Sequence, residues 1–211
     1  MKKVLFVTVL VTLGLLSAGI AQANTITGNL WHVSEATSQN AIPANVPLTT
    51  ADVTFDVNSP FNFSSLACAT CYTVGGFLGS SSAFNIHENT AGTLASNLDS
   101  SGIGTLIDFR GQVTVTNGMT FTVTHDDGLT LIINGINLGF NPGPSSPTTT
   151  TMTYTGPSGT FNFELVYGEC CGAPAVLQTS LPLSNVPEPM TLVLLGLGLV
   201  GVAGVGRKFN K

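Results

Sequence analysis

From Gln112 to Thr124 the chain alternates with a period of two. Val113, Val115, Met119, Phe121 and Val123 share one parity, and Thr114, Thr116, Thr120, Thr122 and Thr124 share the other. Successive side chains of a strand point to opposite faces, so this pattern buries one face and wets the other. β-Branched threonines suit the wet face of a sheet. The same period recurs in Val53, Phe55 and Val57 against Thr54 and Asp56. It recurs again in Phe161, Phe163, Leu165 and Tyr167 against Thr160, Asn162 and Glu164. Between the two chain ends no stretch sustains a helical period. Many short strands of this kind predict an all-β fold, an antiparallel β-sandwich of jelly-roll type.

Turn chemistry divides the strands. Asn117-Gly118 and Asn134-Gly135 are hairpin signals, because a type I′ turn needs positive φ at both central residues. The first is expected to join Gln112–Thr116 to Met119–His125, and the second Leu129–Ile133 to Ile136–Leu138. Asn141 to Pro147 holds three prolines and precedes four threonines; it reads as an exposed loop that cannot sit in a central ladder. Gly75 to Ser82, rich in Gly and Ser, reads as a second loose stretch.

The ends carry addresses rather than fold. Lys2 and Lys3 precede an apolar run from Val4 to Leu16, and Ala21-Gln22-Ala23 offers the small residues that signal peptidase needs, which places cleavage after Ala23. At the other end Met190 to Gly206 carries no charge and would reach roughly 25 Å as a helix, enough for a short transmembrane helix. Its glycines, Gly196, Gly198, Gly201, Gly204 and Gly206, would each weaken a soluble helix. Arg207, Lys208 and Lys211 would stay on the cytoplasmic side. The expected organisation is a signal peptide over 1–23, a β-sandwich domain over 24–185 and a tail over 186–211.

That tail begins with Val186-Pro187-Glu188-Pro189, followed by the apolar run at 190–206 and the basic end at 207–211. The order resembles the PEP-CTERM sorting signal of Gram-negative bacteria, with Pro187, Glu188 and Pro189 as the sorting motif. The resemblance implies export across the inner membrane, a tether in that membrane through the C-terminal helix, and processing by an exosortase. It further implies a final place at the cell surface or in an extracellular biofilm matrix, in bacteria that often make extracellular polysaccharide.

Charge narrows the partners. Five of the six Lys and Arg residues sit in the two ends, so Arg110 is the one strong base of the domain, against ten of the eleven acids. Such a body has no cationic footprint for phosphate, which argues against nucleic acid as a partner. A negative excess keeps exported domains apart in solution, and clustered acids can also hold a hard cation such as calcium.

The segment Phe121-Thr122-Val123-Thr124-His125-Asp126-Asp127-Gly128-Leu129-Thr130-Leu131-Ile132-Ile133-Asn134-Gly135 is similar to the strand, Asp-Asp-Gly turn and strand of the protective-antigen-type β-sandwich domain shared by yeast flocculins and related adhesins. Gly159 to Leu177, with Glu169-Cys170-Cys171-Gly172-Ala173, resembles that family's late strands and the loop between them. The likeness covers residues 100 to 181, with a weaker trace from Gly28 to Phe55. In adhesin members the two adjacent aspartates, joined by a cis peptide, bind a calcium that helps ligate sugar hydroxyls. The resemblance implies that role for Asp126 and Asp127. Two adjacent carboxylates need a cation or hydrogen-bond donors to stay ionised, and calcium accepts carboxylates and carbonyls. The other reading of the same residues is an ordinary Asp-Gly turn, Gly128 taking positive φ. The second ligand loop does not align; Asn141, Glu169 or a backbone carbonyl would complete a ligand set.

The cysteines fall as Cys68-Ala69-Thr70-Cys71 and Cys170-Cys171. A C-x-x-C near His87 suits zinc, but an exported chain with an even count is the ordinary setting for disulfides, and four cysteines allow three pairings. Cross-bridges between the pairs would close loops of about a hundred residues and stabilise by a few kcal/mol each. They are the expectation here; a local Cys68–Cys71 bridge with a vicinal Cys170–Cys171 bridge is the rival.

Catalytic constellations are missing from the sequence. His32, His87 and His125 are isolated, with His125 expected on the surface, and no nucleophile elbow or His-Glu-x-x-His occurs. Glu164 and Glu169 could be posed as a glycosidase pair, but both are expected to face solvent. Trp31, among Leu30 and Val33, reads as core. The expectation is a non-catalytic exported protein that binds carbohydrate, an extracellular polysaccharide or matrix polymer, through calcium at Asp126 and Asp127. A structural surface protein without a specific ligand is the alternative, and a carbohydrate-active enzyme a third.

Overall fold

The computed structural model describes residues 26–181. The signal peptide, the sorting motif with Pro187, Glu188 and Pro189, and the apolar run 190–206 lie outside the described residues. Among the described residues no helix is long and apolar enough to cross a membrane.

Eleven strands run in chain order: β1 (Ile26–Ser34), β2 (Val53–Val57), β3 (Asn62–Ser64), β4 (Phe84–Glu88), β5 (Ile103–Val115), β6 (Thr120–Asp126), β7 (Gly128–Ile133), β8 (Ile136–Asn137), β9 (Thr148–Thr153), β10 (Gly159–Glu169) and β11 (Val176–Thr179). One sheet has seven strands in the order β4-β2-β1-β5-β10-β7-β8; the other has four, β3-β11-β6-β9. Every pairing is antiparallel. The fold is therefore an antiparallel β-sandwich.

The expected inward parity is the buried one. Val113, Val115, Phe121, Val123, Val53, Phe55, Val57, Phe163, Leu165 and Tyr167 are all core. Phe109 of β5 welds the two sheets, its ring centroid 5.7 Å from Phe55, 4.9 Å from Phe61 and 5.6 Å from Phe63. Edge-to-face and tilted ring pairs at such spacings add to plain area burial. Trp31 is also buried, its Nε1 donating to the Thr49 carbonyl at 3.2 Å.

Two local expectations change. Gly75 to Ser82 is mostly not loose: a short helix spans Val74–Ser80, capped by Thr73, whose side chain accepts from the Gly76 N–H. Val74, Phe77 and Leu78 fall on one face of it and are buried, and Phe77 stacks on Phe63 at 5.2 Å. Packing on the core outweighs the poor helix propensity of three glycines. Asn117-Gly118 is not a hairpin, since β5 and β6 belong to different sheets. It is a corner between them, held by Asn117 Nδ2 donating to the carbonyls of Thr155 at 2.9 Å and Gly156 at 3.0 Å. Asn134 and Gly135, with φ of 51° and 75°, do join β7 to β8 as a tight hairpin. Finally, the threonine run after the proline loop forms β9 as an edge strand, the sheet position where lost donors matter least.

Strand register brings two connections together. On β11, Val176 pairs with Asp126, and on β10, Gly168 pairs with Gly128. The two crossings from sheet to sheet, 126–128 and 168–176, therefore lie side by side at one end of the sandwich.

Candidate cation and ligand site

Asp126 is the last residue of β6 in the small sheet, and Gly128 is the first of β7 in the large one. Asp127 is the whole connection, and the Asp126–Asp127 peptide is cis. The ordinary Asp-Gly turn does not occur here. Gly128 is not among the glycines with positive φ. It is glycine because a Cβ would collide with the Pro142 carbonyl. That carbonyl accepts from the Ala41 N–H at 2.8 Å, and the Asn141 carbonyl accepts from the Leu129 N–H at 2.8 Å, so the proline loop is strapped across the start of β7.

Three segments then meet around a groove of about 330 Å³: the two aspartates, residues 144–147 and residues 171–174. Asp126 and Asp127 are only 4% and 5% exposed. The Asp127 carboxylate is held at both oxygens, Oδ2 accepting from the Cys170 N–H at 2.9 Å and Oδ1 from the Ser145 N–H at 3.1 Å. These donors favour its charged form, but burial is the larger effect and raises its proton affinity. Burial first, and the Asp127 charge second, push the Asp126 carboxyl up to about 7. The Tyr167 hydroxyl donates to the Asp126 carbonyl. His125 is not at the surface as expected: it is 2% exposed, and its Nδ1 bonds the Asp127 carbonyl. A carbonyl only accepts, so Nδ1 carries the proton.

Beneath the aspartates lies a second acidic layer. Glu169, expected to face solvent, is fully buried. Its Oε2 lies 2.7 Å from the Tyr167 hydroxyl and its Oε1 3.3 Å from the Tyr72 hydroxyl. Tyr167 has one proton, which goes to the Asp126 carbonyl, so the Glu169 contact needs a proton from the acid. Burial pushes Glu169 up to about 10, which supplies it at neutral pH. Tyr72 also bonds Asp99 Oδ1, and Asp99 Oδ2 accepts from the Gly172 N–H at 2.8 Å.

Among the described residues no Lys or Arg side chain offsets these acids. Arg110, the only Lys or Arg among the described residues, is held by Asp108 and Glu164 at 2.7 Å each. Glu164 faces outward there while Glu169 points inward, so the two stand on opposite faces of β10 and cannot flank one glycosidic bond. Paired carboxylates opening on one groove are donors suited to a hard, oxygen-seeking cation. The residues present fit calcium on that chemistry.

Of the other candidates, Asn141 does not line the groove; its Oδ1 accepts from the Gly143 N–H at 3.0 Å and shapes its own loop. Glu169 supports the site from behind. The cysteines are all bridged, but locally: Cys68–Cys71 and Cys170–Cys171, which overturns cross-bridging. Residues 68–71 close a turn, the Cys71 N–H donating to the Cys68 carbonyl at 3.2 Å, so those two sulfurs meet each other. Asp127, Cys170 and Cys171 offer ligand atoms within 4.8 Å of one another, yet bridged sulfurs are not thiolates and only the carboxylate can ligate. Asp99, Tyr72 and Ser145 carried no sequence signal. Tyr167 did carry one: a Tyr at an inward-facing strand position has a hydroxyl that needs a buried partner.

The PEP-CTERM protein-sorting motif matches residues 185–208. That motif implies export and sorting by an exosortase. Among solved structures, a PA14 sugar-binding domain from an RTX adhesin is 20% identical, with a TM-score of 0.51, and the match covers 75% of this chain and 89% of that one. PA14 is the protective-antigen-type sandwich, and the likeness is one of fold. The PA14 domain of the MpAFP antifreeze protein is 22% identical over 77% of this chain and 82% of that one, with a TM-score of 0.47. No curated protein matches the chain.

Proposed function

We propose that this chain is an exported, exosortase-sorted binding protein whose sandwich holds calcium at Asp126 and Asp127 and, through it, the hydroxyls of an extracellular polysaccharide. The observation that carries the reading is the pair itself. Two nearly buried carboxylates form the link between the sheets, open on one groove, and have no Lys or Arg within reach among the described residues. Calcium would supply the missing positive charge and open coordination positions for vicinal hydroxyls.

The chain's own residues have separate parts in this. Cys170 and Ser145 N–H groups orient the Asp127 carboxylate. Tyr167 fixes the Asp126 carbonyl, and the protonated Glu169 fixes Tyr167. Pro144, Pro147 and Pro174 give the groove walls low conformational freedom, which reduces the ordering cost of binding. Glu164 and Glu169 stand on opposite faces of β10, which favours retention over turnover.

Polysaccharide-coated beads test it. The full chain in detergent should be retained with calcium and released by chelator, and Asp126→Asn should abolish retention. Retention indifferent to chelator and to the substitution would instead leave a coat protein without a specific ligand.

A further inference from the structure

Stability does not explain the vicinal bridge. A disulfide stabilises chiefly through the length of chain it closes, and the Cys170–Cys171 bridge, at a sequence separation of 1, closes almost none. Its surroundings supply a local reason. Cys170 is buried with its N–H on Asp127 Oδ2, and Gly172 has its N–H on Asp99 Oδ2. Cys171 between them is exposed, lines the groove and holds φ at 69°, a left-handed value that a non-glycine residue rarely adopts. A free cysteine would tend to leave that conformation. The covalent ring keeps residue 171 there, with the flanking N–H groups aimed at two carboxylates.

We propose that the Cys170–Cys171 bridge is a thiol-exchange site that locks the Asp127 carboxylate in place, so that its reduction lowers the groove's affinity for calcium. The second half of this rests on the calcium reading above. In the exchange, a small thiolate attacks the exposed Cys171 sulfur, a new S–S bond forms to it, and the Cys170–Cys171 bond breaks. The buried Cys170 sulfur leaves as thiolate and takes a proton. A second thiolate then attacks the added sulfur, releasing Cys171 thiolate and the oxidised small disulfide. Two electrons pass from two thiols to the bridge. Cys68–Cys71, which does not line the groove, is the internal control.

Calcium titration of the full chain in detergent, before and after reduced glutathione, tests the effect on affinity. The double variant Cys170→Ser/Cys171→Ser should match the reduced protein. Each should bind calcium about tenfold more weakly or worse, the usual cost of losing an outer-shell tie to a ligand. Cys68→Ser/Cys71→Ser should bind as the unaltered protein does. Equal affinity in all forms overturns the proposal. Hydrogen exchange at the Cys170 and Gly172 amides, read on metal-free protein, tests the lock itself. Faster exchange of both amides on reduction supports it, and unchanged exchange overturns it. Absence of calcium binding in the oxidised protein would remove the calcium reading while leaving the lock to that second measurement.

Discussion

The Cys170 N–H donates to Asp127 Oδ2 at 2.9 Å, and this bond ties the crossing from β10 to β11 to the crossing from β6 to β7. No sheet ladder joins the two connections at that point. The Asp127 carboxylate is therefore a structural tie, whereas the Asp126 carboxyl is raised by burial and by the Asp127 charge.

Substitution should separate these duties. Asp127→Ala leaves the Cys170 and Ser145 N–H groups without their acceptor, and the buried Cys170 donor alone costs about 1–3 kcal/mol when orphaned. Asp126→Asn removes one of two mutually repelling groups and should leave the metal-free protein at least as stable. Urea unfolding without calcium reads both; the opposite ranking would contradict the assignment.

Glu169 is expected to behave as a neutral acid. Glu169→Gln keeps the size and a donor toward Tyr167, and should change stability by less than about 1 kcal/mol. Glu169→Ala opens a cavity and removes one of the two contacts of each tyrosine hydroxyl, at a cost of about 2–4 kcal/mol. Equal losses in both variants would mean that the carboxylate is charged.

The pH dependence has a definite sign. A carboxyl whose folded pKa lies above its unfolded value of about 4 binds more protons folded than unfolded. Its stabilisation is complete below that unfolded value and is lost as pH rises through the folded one. For Asp126 the window ends at about 7, and for Glu169 at about 10. The metal-free protein should therefore melt higher at pH 5 than at pH 8, and saturating calcium should remove the Asp126 share of that slope. A melting temperature that climbs from pH 5 to 8 without calcium would count against both shifts.

Gly128 should tolerate no side chain. A Cβ there meets the Pro142 carbonyl, which the Ala41 N–H holds in place. Gly128→Ala is expected to cost about 1–3 kcal/mol by overpacking and to loosen the 144–147 wall of the groove. Urea unfolding beside calcium titration would show both effects together.

How much of the fold and site was legible in the sequence depends on the range of each interaction. Alternation is local, so the inward faces of β2, β5, β6 and β10 could be read directly, and Asn134-Gly135 marked its hairpin because the turn chemistry is contained in two residues. Asn117-Gly118 has the same chemistry but serves a corner, since β5 pairs with β1 and with β10, some forty residues on, and not with β6. Helix 74–80 was hidden because packing on Phe63 overrides its glycines. At the site, Asp126 and Asp127 stood out through a family resemblance. Glu169 and His125 were misplaced because their burial depends on Tyr167 and on the Asp127 backbone, contacts that strand parity does not encode. Asp99 reaches the site from a distant loop, through Tyr72 and Gly172.

Calcium titration by calorimetry on the full chain in detergent, with a parallel thermal melt, decides whether Asp126 and Asp127 hold calcium. Saturable binding that raises the melting temperature in the unaltered protein and disappears in Asp126→Asn is the predicted result. No heat and no shift at millimolar calcium would contradict the account and reduce Asp126-Asp127-Gly128 to a structural crossing between the sheets.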